Sequence, residues 1–156
     1  MPLTITKSPG AIKRFRRTPW RFQQTVEIPE GDEIARFVTS LIGVHIGIEQ
    51  ATVTVAEIIF HTARMDAVLG SLAAEQLTRE SAVTAKGRAA IEQLLIAAFW
   101  DGNEFIVVPT PKPFVMYADH DGWVTFYANT KSNLNHIIGP LVSDGFKLVK
   151  DWAREL

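Results

Sequence analysis

A chain of 156 residues, of which 47% are hydrophobic and 21% charged, is long enough to bury one core, and this composition excludes disorder throughout. The absence of cysteine excludes disulfides, thiolate metal sites and cysteine nucleophiles. No apolar run approaches the roughly 18 residues of a membrane span, and no signal-like segment follows the basic start. We therefore expect a single-domain cytoplasmic protein with no membrane contact.

The net charge of −1 conceals an uneven distribution along the chain. The first 21 residues contain six basic side chains and no acidic one, which leaves 10 basic against 17 acidic residues in the remainder. This segment also contains Pro2, Pro9 and Pro19 and has no sustained periodicity. We therefore expect residues 1–20 to form a basic, partly mobile arm and residues 21–156 to form one α+β domain.

The arm interleaves cations with aromatic side chains, a mixture that can neutralise phosphates and stack on bases. The candidate nucleic-acid-binding residues are Lys13, Arg14, Arg16, Arg17, Trp20 and Arg21. One alternative is a solvated arm whose aromatic side chains fold back on the body. Another is a mitochondrial presequence, although the prolines argue against the amphipathic helix that it requires.

A strand and a helix are predicted after the arm. Residues 21–28 alternate between apolar and polar side chains, which predicts a strand that Pro29 stops. Asp32 can cap a helix whose apolar residues recur at helical spacing until Gly43. Residues 44–54 are β-favouring, yet they lead into a helical pattern.

Two long helices are predicted next. Apolar residues recur at steps of three and four over residues 55–77 and again over residues 78–101, which indicates an antiparallel helical hairpin. Gly70 and Gly87 lie inside it, and each costs about 1 kcal/mol relative to alanine. They mark either close contact between the helices or a break.

The last third of the chain is predicted to be mainly strands. Residues 104–108 form a short apolar strand, a proline-rich connection follows, and residues 113–128 form a β-hairpin. A helix capped near Thr130 or Ser132 is expected to be kinked or ended early by Pro140. Residues 146–152 fit a final strand, with a helix as the alternative.

Both faces of the hairpin are apolar. A turn at residues 120–121 pairs Tyr117 with Val124, and a turn at residues 121–122 pairs Tyr117 with Phe126. Either turn predicts the same two faces: Val115, Tyr117, Val124, Phe126 and Ala128 on one side, and Phe114, Met116, Ala118, Trp123, Thr125 and Tyr127 on the other. A helical layer is expected on one face, and a second layer or a partner on the other.

The order of elements predicts an α+β fold. Its mainly antiparallel sheet consists of the first strand, a three-strand meander and a possible C-terminal strand, packed against the long helical hairpin and two shorter helices. Acetyltransferases of the GNAT type have a broadly similar order of elements. Residues 128–134 contain no glycine, however, so the phosphate-cradling turn of that family is absent.

The hairpin tip carries the most suggestive polar cluster. Asp119, His120 and Asp121 combine two carboxylates with an imidazole, which suits proton transfer, metal binding or contact with a protein. The alternative is an exposed turn built from good turn-forming residues. His136, in a polar group near the last helix, is the second candidate acid or base.

Metal and enzyme signatures are sparse. Glu57 and His61 are the candidate metal ligands if their segment is helical, although a helix-surface interaction is the alternative. The chain has no nucleophile elbow, phosphate loop, dinucleotide fingerprint or His-Glu-x-x-His motif, and no cofactor is predicted. The missing motifs favour a non-catalytic role without excluding an enzyme.

Three functions are compatible with the sequence. The first is a binding module that engages a protein partner, or itself as an oligomer, through the hairpin and exposed aromatic residues. The second is nucleic-acid binding through the arm. The third is a small-molecule enzyme or binder with a pocket between sheet and helices. For the first, the contact residues are Asp119, His120, Asp121, Trp123 and Tyr127, and the aromatic residues also include Trp100, Phe114 and Trp152.

Overall fold

The protein is a mixed structure with one large antiparallel sheet. The computed structural model describes residues 2–43, 48–74, 76–111 and 114–155. The strands within these ranges are β1 (Leu3–Lys7), β2 (Phe22–Glu27), β3 (Gln50–Glu57), β4 (Ser81–Lys86), β5 (Glu104–Thr110), β6 (Val115–Ala118), β7 (Trp123–Ala128) and β8 (Leu148–Val149). The α-helices there are α1 (Ala11–Arg17), α2 (Glu33–Gly43), α3 (Ala63–Leu69), α4 (Arg88–Asp101) and α5 (Lys131–Ser143).

All eight of these strands are antiparallel and lie in the order β1-β4-β3-β5-β6-β7-β2-β8. The predicted combination of helices with a mainly antiparallel sheet is therefore confirmed. None of the helices in the described ranges is long and apolar enough to cross a membrane.

Helices α2, α4 and α5 cover one face of the sheet. Phe37 of α2, Leu94 of α4 and Ile137 of α5 are each 0% exposed and belong to one cluster with Val107 and Phe126 of the sheet. Each such side chain contributes about 1.5–3 kcal/mol when it is removed from water. This layer is the main core of the protein.

A second, smaller cluster lies on the opposite face of the sheet. Ile12 and Phe15 of α1 pack there against Ile106, Tyr117 and Tyr127. Because Val107, the neighbour of Ile106 in β5, belongs to the main core, the alternation of side chains along a strand places the two clusters on opposite faces. The second apolar face of the hairpin is thus covered by α1.

The N-terminal segment, predicted to be a basic and partly mobile arm, contains a strand and a helix. Strand β1 pairs with β4, from Leu3 opposite Ala85 to Lys7 opposite Ser81. Helix α1 then buries Ile12 and Phe15. The signal is weak because β1 is one short alternation and the apolar positions of α1 are separated by cations. Both elements therefore pack against the sheet, β1 through its pairing with β4 and α1 through Ile12 and Phe15.

The predicted helical hairpin over residues 55–101 is wrong. Strand β3 extends through residue 57, and only residues 63–69 and a 3₁₀ turn at 70–74 are helical before β4. The β-branched run at residues 52–55 favours the strand, and residues 44–47 lie outside the described ranges. Gly70 and Gly87 have φ of 59° and 87° and stand at element boundaries, so the glycines mark breaks.

The hairpin β6–β7 has a register one residue away from both predicted ones. Ala118 lies opposite Val124, and the backbone N–H of Asp119 donates to the carbonyl of Trp123 at 2.9 Å, which closes a loop at residues 120–122. A shift of one residue moves a whole arm to the other face. Val115, Tyr117, Thr125 and Tyr127 therefore share the face that carries α1, and Met116, Ala118, Val124 and Phe126 share the face that carries the main core.

The C-terminal elements agree in part with the prediction. Thr130 caps α5, because its hydroxyl accepts the backbone N–H of Asn133 at 3.1 Å. Pro140 does not end this helix early: α5 continues to Ser143, and the buried Leu141 holds its last turn against the core. Only residues 148–149 form the final strand, which pairs with β2.

Candidate functional site

The side chain of Asp119 accepts hydrogen bonds from the backbone of the hairpin turn. Its Oδ1 accepts the backbone N–H groups of Asp121 at 2.9 Å and Trp123 at 3.0 Å. Its Oδ2 accepts a hydrogen bond from Arg154 Nη2 at 2.6 Å. Asp119 is 7% exposed, so these internal contacts occupy a carboxylate that the sequence suggests as a partner contact.

Residues near the C-terminus are held against the same hairpin. The Arg154 guanidinium lies 4.7 Å from the centre of the Tyr117 ring, and its Nε donates to the Thr125 hydroxyl at 3.1 Å. The rings of Trp123 and Trp152 are 4.8 Å apart. Trp123, a predicted contact residue, is therefore half-buried by the chain itself.

Tyr127 lies under α1. Its ring centre is 5.3 Å from that of Phe15 and 6.0 Å from that of Trp20, and the residue is 1% exposed. Burial raises the pKa of Tyr127 to about 12, because the phenolate loses its hydration. Phe114 is equally buried, on the other face. Tyr127 and Phe114 are therefore both buried, whereas the sequence analysis predicts them to be exposed residues that contact a partner.

His120 is the half-exposed side chain of the turn. Its Nδ1 lies 3.5 Å from Glu104 Oε1, and its Nε2 lies 3.6 Å from Asp121 Oδ1. Burial raises the pKa of Glu104, and a hydrogen bond with Glu57 raises it further, whereas His120 acts in the opposite direction. The turn therefore places an imidazole beside the Glu104 carboxyl, which itself lies next to Glu57.

The predicted metal pair does not have the geometry on which it depends. Glu57 ends strand β3 opposite Glu104, and His61 lies in the loop before α3, so the two are not one turn apart on a helix. In the described ranges no group of three or more His, Cys, Asp or Glu side chains is arranged to hold a metal ion. His136 is exposed on α5, an element separate from the hairpin turn.

Three segments of the chain meet at the end of the sheet that carries the hairpin tip. A hollow of about 310 Å³ is lined there by the loop at residues 28–31, by Trp100 and Gly102 at the end of α4, and by His120 and Gly122 of the turn. Trp100 is 38% exposed. This position is typical of binding residues, which are commonly carried by loops on a rigid scaffold.

Three consecutive large apolar side chains lie in the loop after β3, and the last of them borders this hollow. Ile58, Ile59 and Phe60 are 38%, 40% and 49% exposed. The side chain of Asn103, which is 6% exposed, fixes their backbone: Oδ1 accepts the N–H groups of Ile59 and Phe60, each at 2.7 Å, and Nδ2 donates to the carbonyl of Phe60 at 3.2 Å. The Phe60 ring lies against Gly102, at the rim of the hollow.

The cavity between the sheet and the helical layer is small. It is lined by Val53, Met65, Ala98 and their neighbours and has a volume of about 20 Å³. That volume holds about one water molecule. This cavity is too small for the ligand that the third hypothesis places between sheet and helices.

The predicted nucleic-acid-binding residues fall into two groups. Lys13, Arg16 and Arg17 line an open hollow together with Arg79, and Arg21 is exposed elsewhere. The other two make internal contacts: Arg14 Nη1 donates to the carbonyl of Pro9 at 3.3 Å, and Trp20 packs on Phe15 and Tyr127.

No protein-family model, no curated protein and no solved structure matches this chain. Its function therefore has to be argued from the surfaces described above.

Five residues of these surfaces were missed by reasoning from the sequence: Asn103, Arg79 and the exposed run Ile58, Ile59 and Phe60. Asn103 is predicted only as part of a helix stop, and Arg79 lies within a predicted helix. An Asp-Gly-Asn sequence does indicate a turn at residues 101–103. No local signal connects Asn103 with Phe60, because their contact spans 43 residues.

Proposed function

We propose that the protein is a non-catalytic binding module that engages a protein partner or a second copy of itself. The contact surface, here called the end patch, consists of Ile58, Ile59, Phe60, Trp100 and His120. One observation supports the proposal above the others: a nearly buried asparagine holds the backbone of consecutive exposed apolar residues through three hydrogen bonds. Contiguous exposed apolar side chains mark interaction sites on soluble proteins.

The energetics of the end patch suit association. Each apolar side chain that a partner covers gains about 25 cal/mol for every Å² removed from water. Because Asn103 already orders the backbone at Ile59 and Phe60, little conformational entropy is lost when a partner binds. Trp100 at the rim of the adjacent hollow is the type of residue that anchors interfaces.

The end patch differs from the surface that the sequence suggests. The two hairpin faces are covered by α1 and by the main core, so Phe114 and Tyr127 are inside the protein. His120 remains accessible at the tip and borders the same hollow as Trp100. The proposal therefore retains the hairpin tip and replaces the hairpin faces with the loop at residues 58–60.

A matched pair of substitutions tests the end patch. Phe60 and Val142 are 49% and 48% exposed, and Val142 lies on α5. We expect sedimentation velocity over a concentration series to show reversible self-association of the unmodified protein. Phe60→Ser should weaken it by about 30-fold, the equivalent of about 2 kcal/mol for a hot-spot side chain, and Val142→Ser should leave it unchanged.

A second measurement covers a partner other than the protein itself. A photo-crosslinking amino acid is placed at position 60 and, as the control, at position 142, and the protein is expressed in its source cells. We expect a discrete crosslinked product at position 60 only, and its loss when Trp100→Ser is added. A protein that stays monomeric at every concentration and crosslinks no more at position 60 than at position 142 would overturn the proposal.

A further inference from the structure

A second surface, away from the end patch, is strongly basic. An open hollow of about 520 Å³ is lined by Lys13, Arg16, Arg17, Arg79, Glu80 and Gly10. Three of its cations come from α1, and the fourth comes from the turn before β4, more than 60 residues later in the chain. We call this surface the basic hollow.

The fold holds these cations together. Ile12 and Phe15 anchor α1 to the sheet, and Lys13, Arg16 and Arg17 are exposed on the same helix. The turn that carries Arg79 is fixed at its next residue, where the N–H of Glu80 donates to the carbonyl of Val55 at 2.8 Å and its carbonyl accepts the N–H of Ser8 at 2.9 Å.

Among the described residues of this lining, the one carboxylate, that of Glu80, already accepts a hydrogen bond. Glu80 Oε1 accepts the backbone N–H of Gly10 at 3.3 Å. One of the cations lies near the sheet, since Arg16 lowers the pKa of Tyr117 against the raising effect of burial. Four like charges around one concave surface repel each other, and an anion placed among them relieves that repulsion.

The size and chemistry of the basic hollow define its ligand. Guanidinium groups bind phosphate through paired hydrogen bonds, and a hollow of about 520 Å³ accommodates several phosphates rather than one. The nearby aromatic residues are unavailable for base stacking: Phe15 is 5% exposed, and Trp20 packs on Phe15 and Tyr127. Contacts with phosphate position a nucleic acid without reading its sequence.

We propose that the basic hollow binds the phosphodiester backbone of nucleic acid without base recognition. This site is independent of the end patch and of the function proposed for it. The basic hollow contains Lys13, Arg16 and Arg17, which the sequence predicts as nucleic-acid-binding residues, and also Arg79. Trp20, which the sequence predicts to stack on bases, is not part of it.

The test uses the full chain, because deletion of the first 21 residues would also remove β1 and α1 from the fold. Binding of labelled single-stranded and duplex oligonucleotides of two unrelated sequences is measured by fluorescence anisotropy over a range of salt concentrations. We expect equal affinity for the two sequences. With four cations, the slope of log K against log salt should be no steeper than about −2.8 for single strands and −3.6 for duplexes.

Charge-matched double variants locate the site. Arg17→Ala with Arg79→Ala should weaken binding about tenfold or more at low salt and reduce the slope by about 1.4–1.8. Arg21→Ala with Lys131→Ala removes the same charge from exposed positions outside the hollow and should change affinity by less than about threefold. Phe60→Ser should bind nucleic acid normally, which separates this site from the end patch.

Four results would each overturn the proposal. They are no binding at low salt, equal loss in the two double variants, a marked preference for one sequence, and binding of inorganic tripolyphosphate without binding of either oligonucleotide. The circular dichroism spectrum and thermal unfolding of each variant confirm that a loss of binding is not a loss of structure.

Discussion

Replacing Asp119 with alanine removes the acceptor of three hydrogen bonds at the hairpin tip. Two come from the backbone N–H groups of Asp121 and Trp123, and the third comes from Arg154 at 2.6 Å. The side chains of Arg154 and Asp119 are 13% and 8% exposed, so the variant leaves a nearly buried guanidinium without its counter-ion. Breaking such a pair from one side costs about 3–5 kcal/mol, and we expect the free energy of unfolding to fall by that amount.

Urea unfolding followed by circular dichroism measures this change. The control is Asp121→Ala, two residues away with a side chain 78% exposed, which should cost less than about 0.5 kcal/mol. Arg154→Met combined with Asp119→Ala removes both charges and should cost less than the sum of the two single variants, by about 1 kcal/mol or more. A cost below about 1 kcal/mol for Asp119→Ala, or strictly additive single variants, would refute the reasoning.

Three further predictions test the α1 layer and the titrating groups. Phe15→Ala should lower the unfolding free energy by about 3–5 kcal/mol in urea titrations, and a loss no larger than that of the exposed Lys13→Ala would contradict a packed α1. Burial raises the pKa of both tyrosines, Tyr117 and Tyr127, the latter to about 12. Ultraviolet absorbance near pH 10 should therefore show less phenolate in the folded protein than in the urea-unfolded chain, which is about half ionised there. Equal ionisation of the folded and unfolded protein there would contradict their burial. Glu104 has a raised pKa, so the folded state binds its proton more tightly than the unfolded state does. The free energy of unfolding therefore decreases as the pH rises from the unfolded-state pKa through the folded-state pKa. Glu104→Gln should make this decrease smaller in urea unfolding at several pH values, and an unchanged pH dependence would contradict the raised pKa.

Local signals predicted several elements well. Strand β2, helix α2 and the start of α5 each have a clear period and a boundary residue within a few positions. Residues 55–77 misled the prediction because Met65 and Leu69 do have helical spacing, and the pattern was extended backwards over Ile58, which is exposed in a loop. Such a pattern does not show where a strand ends and a helix begins.

The site was harder to predict than the fold. The faces of the hairpin depend on a three-residue loop at 120–122, and the two-residue loops considered from the sequence invert one arm. Asn103 and Arg79 act through contacts with residues distant in sequence, Phe60 in one case and the α1 surface in the other. Only the three-dimensional structure brings such pairs together.

The position of β2 in the sheet has a consequence for synthesis of the chain. Both of its neighbours, β7 and β8, come from residues 123–149, and the bonded hydroxyls of Thr25 and Thr125 are separated by 100 residues. Ribosomes add about 5–20 residues per second, so β2 remains unpaired for about 5–20 s after it is made. During that interval the apolar side chains of Phe22 and Val26 have no sheet around them. A nascent chain that is released before residue 123 never forms the strands that pair with β2. The apolar side chains of β2 then stay uncovered, which makes such prematurely terminated products substrates for chaperones and proteases.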